Sequence, residues 1–134
     1  MSLLQLHLIL VSAWFGVIAA EAVVESYGRD AASRRLIAVI HGWIDVLFEL
    51  PIVIVVLITG GILLVQAWPA PTLLLFKVAL GLTGIIANLI CIPLVRMRMH
   101  ETDDKRVKQL SRKIQLTGLA IPIGIAAFIL GIYL

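Results

Sequence analysis

Long apolar runs broken by short polar intervals organise the chain. Four runs stand out, at residues 3–25, 36–65, 72–95 and 114–134. An α-helix needs about 20 residues to cross roughly 30 Å of hydrocarbon. Three runs match that length. The second covers about 30 residues, or about 45 Å at 1.5 Å per residue, so it either tilts or projects its first two turns from the bilayer. The first run ends in Glu21 and Glu25 and lacks a basic start, which distinguishes it from a cleavable signal peptide. The pattern predicts an all-α integral membrane protein, residues 1–134 forming one antiparallel bundle of four transmembrane helices.

Composition agrees. The chain is 61% hydrophobic and 14% charged, against about 25% charged for a soluble domain. So few polar residues could not cover a surface in water. The single cysteine, Cys91, excludes an intramolecular disulfide.

The net charge of +3 resembles a nucleic-acid signal only until the charges are located. The interval 26–35 carries Arg29, Arg34 and Arg35, and the interval 96–113 carries seven basic residues. The middle interval 66–71 (QAWPAP) carries none. Lys and Arg mark the cytoplasmic side. The first and third loops are therefore expected inside, with the middle loop and both termini on the non-cytoplasmic side. Trp68 and Tyr133 then sit at the outer interface, where aromatic rings are enriched. Within the third loop, Val107, Leu110 and Ile114 have helical spacing and lead into the last span. A bacterial inner membrane is the expected location, with lipids as partners and no nucleic acid.

Small residues mark expected helix contacts: Gly81, Gly84 and Asn88 on one side of the third helix, and Thr117, Ala120, Gly124 and Gly131 on the fourth. These surfaces also admit a homo-oligomer. Pro51, Pro93 and Pro122 each interrupt a helix, freeing the carbonyls of Leu47, Leu89 and Gly118.

The acids carry the chemistry. Four of the eight Asp and Glu lie in the first two spans: Glu21, Glu25, Asp45 and Glu49. His41 joins them in the run His41-x3-Asp45-x3-Glu49, whose four-residue steps lie nearly on one helical face and make a ladder about 12 Å long. His7, Trp14 and Glu21 form a stripe on the first helix. Folding the hairpin brings Glu25 level with His41 and Glu21 level with Asp45. Asn88 and Cys91 on the third helix reach a similar depth. An ionised acid inside a membrane helix costs on the order of 2.5–3.5 kcal/mol, and four carboxylates together repel one another. Something positive belongs among them.

Three candidates follow. Loop arginines could solvate the acids, with Glu25 pairing Arg29 and the others Arg34, Arg35 or Arg96. Protons or cations could use the acids as a path. A divalent transition metal could be bound, since carboxylate with imidazole suits zinc, iron or manganese. The metal reading is adopted, with Glu21, Glu25, His41, Asp45 and Glu49 as the expected ligands. Ferritin-like bundles build metal centres from the same residue types, although their Glu-x-x-His pairs are absent here. A bound metal could activate water or a redox step on a membrane-soluble substrate. No phosphate-binding glycine loop, HExxH or Ser-His-Asp set is present.

The opening of the first helix, Gln5 followed by LHLILVSAWFG, resembles that of the four-helix membrane proteins related to CopD copper-resistance proteins and HemJ protoporphyrinogen oxidases. The resemblance covers that helix and the four-helix plan, and implies His7 as a haem or copper ligand. The His41-x3-Asp45-x3-Glu49 ladder lies outside it. Depth also opposes a haem shared by His7 and His41, which fall near opposite surfaces. Lys77 falls near His7, and His100 falls among the loop charges.

Overall fold

Local capping sets where the first helices begin. The Ser2 hydroxyl accepts the Gln5 N–H at 3.1 Å, and the Gln5 side chain accepts the Ser2 N–H at 2.9 Å. This capping box satisfies two otherwise free donors and starts α1, Leu3–Ser26. Asp30 repeats the device, accepting the Ser33 N–H at 2.7 Å, and starts α2, Ala31–Ile44. The Ser33 N–H, joined by its hydroxyl, holds the exposed Asp30 carboxyl below the usual carboxylate range. The computed structural model describes residues 1–133.

The second span continues as one π-helical turn, Asp45–Glu49, and then α3, Leu50–Gln66. Pro51 explains the widened turn: it has no N–H, and its ring crowds the carbonyl four residues back. The Leu50 N–H accordingly reaches five residues back, to the carbonyl of Asp45. The turn also resets the helical phase. Each step of four residues advances about 40° around an α-helix, so Ile37, His41, Asp45, Glu49 and Val53 would wind through about 160°. A π turn contains roughly one extra residue, which takes back about 100°. All five side chains are buried.

The third span is α4, Thr72–His100, which runs through Pro93. The fourth is divided into α5, Asp104–Thr117, and α6, Ala120–Tyr133. Pro122 accounts for the break. It cannot bond the Gly118 carbonyl, which accepts the Ile121 N–H at 3.0 Å instead. Val107, Leu110 and Ile114 are buried, as their spacing predicts.

Four spans are thus long and apolar enough to cross a membrane: Leu3–Ser26, Ala31–Gln66, Thr72–His100 and Asp104–Tyr133. Three extend further into the charged loops than hydrophobicity indicates. The second starts at Ala31 rather than 36, the third continues to His100 rather than 95, and the fourth starts at Asp104 rather than 114.

α1 packs on α3, α4 packs on α5 and α6, and α2 packs on α4. Trp14, Val53 and Ile85 form the central apolar cluster. Phe15 meets Phe128 edge-on with centroids 5.6 Å apart, bridging α1 and α6. The polarity is inverted relative to a water-soluble bundle. Among the described residues, ten buried side chains are polar against eleven apolar ones, while the outside presents Leu, Ile, Val and Phe. That arrangement suits hydrocarbon and suggests a membrane protein.

The expected small-residue seam is only partly a seam. A Cβ at Gly124 would press on the Phe15 ring at 3.0 Å, but one at Gly81 would meet nothing within 4 Å. Gly81 instead lines a cavity of about 870 Å³ that runs from His7 and Lys77 to Glu21 and Glu49.

Candidate metal centre

Trp14 and Glu21 are two helical turns apart on α1, and both point into the bundle with Glu25. From the facing span, the phase reset at Asp45–Glu49 keeps His41, Asp45 and Glu49 directed at them. Four carboxylates and one imidazole are therefore buried together at the end of the bundle bearing the charged loops.

They do not play equivalent parts. Glu25 Oε1 lies 2.6 Å from His41 Nδ1, the pairing the hairpin register predicts. Arg98 donates to both Glu25 oxygens, at 2.9 and 2.5 Å, and to the Ser111 hydroxyl at 3.2 Å. Glu49 Oε1 accepts the Trp14 indole N–H at 3.3 Å and the amide of Asn88. Both carboxylates are thus engaged by protein donors.

The other three groups, Glu21, His41 and Asp45, converge on one another, with His41 held by Glu25 through Nδ1. His41 Nε2 stands 3.3 Å from Glu21 Oε2 and 3.4 Å from Asp45 Oδ1, within ion-pair reach of both but outside hydrogen-bond geometry. Glu21 Oε1 and both Asp45 oxygens also lack a hydrogen-bond partner among the described residues. Buried polar atoms in folded proteins are nearly always satisfied. One ligand atom from each of Glu21, His41 and Asp45 falls within 4.8 Å of the others. Ligand atoms about 2.1 Å from one tetrahedral ion stand about 3.4 Å apart. The two His41 separations match that spacing, and this buried Glu/His/Asp group could hold a metal ion.

Charge points the same way. Glu21, Glu25, Asp45 and Glu49 are buried with Arg98 as the one buried guanidinium among the described residues, an excess of three negative charges when all four ionise and His41 is neutral. The loop arginines do not supply the balance. Arg35 pairs with Asp104 at 2.8 Å on the surface, and Arg34 bonds the carbonyls of Gly28 and Arg29. Neither Arg29 nor Arg96 pairs with an acid among the described residues. Arg98 does, and a reading that ends the third helix at 95 misses it as a loop charge. Extending the Ile85, Asn88, Val95 stripe by three residues would have found it, since all four are buried along α4.

Of the remaining candidates, Cys91 is half-buried and lines the cavity. His100 is exposed, as expected of a loop charge. His7 is buried near the opposite end, with Nδ1 2.8 Å from Thr59 Oγ1.

Comparison with family models, curated proteins and solved structures finds no match. The likeness to CopD and HemJ proteins therefore stands on the first helix and the four-helix plan alone. The site must be interpreted from its own chemistry.

Proposed function

We propose that this chain is an integral membrane metalloprotein that binds one divalent zinc, iron or manganese ion through Glu21, His41 and Asp45. The spacing of His41 Nε2 from two carboxylate oxygens that it does not hydrogen-bond carries this reading. Glu25 orients the imidazole through Nδ1, the outer-shell arrangement that metal-ligating histidines commonly use, and Arg98 fixes Glu25 in turn. Glu49 lies beside the three ligands with its own donors, Trp14 and Asn88. A divalent ion would reduce the buried excess from three negative charges to one.

Three protein ligands leave a coordination position open, the arrangement of catalytic rather than structural sites. Glu21 and His41 line the large cavity, so a membrane-soluble substrate could approach from the apolar side. A bound ion would supply Lewis acidity or redox chemistry there. Glu21, His41 and Asp45 would hold it, while the surrounding Trp14, Val53 and Ile85 exclude water. With the basic loops inside, the centre sits at the cytoplasmic end of the bundle.

The test is a chelator-dependent thermal shift on detergent-purified protein. Metal bound only to the folded state stabilises by mass action. Chelation should lower the Tm of the natural chain and leave that of Asp45→Ala unchanged. Equal Tm values with and without chelator, accompanied by pH-driven flux through vesicles that Glu49→Gln abolishes, would replace this reading with a proton path.

A further inference from the structure

The cavity has features that the metal centre does not use. At about 870 Å³ it falls within the 300–1,000 Å³ or so typical of small-molecule sites. Its walls are largely apolar, including Val11, Phe15, Val56, Ile85 and Phe128. Its two ends differ in charge. Glu21, Glu25 and Glu49 lie at one end, and Lys77 with His7 at the other.

Lys77 is half-buried, with its Cε and Nζ beside Gly131 of α6, and no carboxylate among the described residues lies within salt-bridge reach. A partly buried ammonium without a counter-charge is costly. His7 adds a directed group. When Thr59 donates its hydroxyl hydrogen to His7 Nδ1, 2.8 Å away, the ring carries its proton on Nε2, a donor suited to an anion. His7 Nε2 has no hydrogen-bond partner among the described residues.

We propose that this cavity binds one long-chain amphiphile with an anionic head, the head at Lys77 and His7 and the chain lying along the apolar walls towards Trp14. Charge sets the direction: Lys77 attracts a carboxylate or phosphate head, and the acids at the far end repel it. Apolar area supplies the affinity for the chain. The proposal is independent of the metal centre, because neither Lys77 nor His7 belongs to it.

Binding of a fluorescent polyene fatty acid to the full chain in neutral detergent tests this, alongside its methyl ester and a long-chain alkyl phosphate. The acid and the alkyl phosphate should each bind once per chain, with the ester weaker by about tenfold or more, the loss of one favourable charge contact. Lys77→Gln should weaken the acid similarly and leave the ester unchanged. Gly81→Leu, which extends a side chain into open space in the cavity, should weaken acid and ester alike. Equal binding of acid and ester, or an acid affinity indifferent to Lys77→Gln, would overturn the proposal and leave Lys77 as a cation that snorkels to the interface. Inorganic phosphate that displaces the probe as effectively as the alkyl phosphate would also overturn it, in favour of a free-anion site. Undiminished binding by Gly81→Leu would do the same by placing the probe elsewhere.

Discussion

His41 Nδ1 lies 2.6 Å from Glu25 Oε1, and that bond turns the other ring nitrogen towards Glu21 and Asp45. In the metal reading Glu25 is a positioning residue rather than a ligand. Glu25→Gln should retain metal but bind it about 10- to 100-fold more weakly, the usual penalty for losing an outer-shell partner. Competition with a metal-sensitive dye measures this. Complete loss of metal in Glu25→Gln would make Glu25 a direct ligand.

Arg98 is buried, and its main partner is the Glu25 carboxylate. Removing one member of a buried ion pair costs about 3–5 kcal/mol, because the other charge is left uncompensated. Arg98→Leu should therefore lower thermal stability markedly, and Glu25→Gln in the same chain should recover part of the loss. A double-mutant cycle read by thermal unfolding in detergent checks the coupling. Additive effects would mean that the two residues do not support each other.

Haem binding is expected to be absent. His7 is committed to Thr59 near the opposite end of the cavity from His41, so the two imidazoles cannot share one iron. Purified protein should lack a stoichiometric Soret band. A Soret band abolished by His7→Ala would favour the CopD-type reading instead.

Orientation follows from loop charge. Reporter fusions within residues 66–71 should report the non-cytoplasmic side, and fusions within residues 101–103 the cytoplasm. The opposite result would move the metal centre to the outer end of the bundle.

Much of this plan was legible in the chain because membrane helices leave strong signals. The four apolar runs, the Val107, Leu110 and Ile114 stripe and the hairpin register that joins Glu25 to His41 all follow from spacing. Other features did not follow. Hydrophobicity ends the third helix at Val95, yet helical hydrogen bonding continues into polar sequence and buries Arg98 one turn later. The π turn was legible only as an expected disturbance at Pro51, because its placement depends on how the facing helices pack. Five candidate ligands could be named from type and depth. Which carboxylates already have protein donors is a tertiary fact: Trp14, Asn88 and Arg98 come from distant parts of the chain.

Elemental analysis of protein purified without chelator, across single variants at the five residues, tests the central claim most directly. The natural chain should retain about one zinc, iron or manganese ion per chain, the number that one three-ligand centre holds. Glu21→Ala, His41→Ala and Asp45→Ala should each lose most of it, and Glu49→Gln should keep it. Metal content unchanged in the His41→Ala, Asp45→Ala double variant would contradict the account.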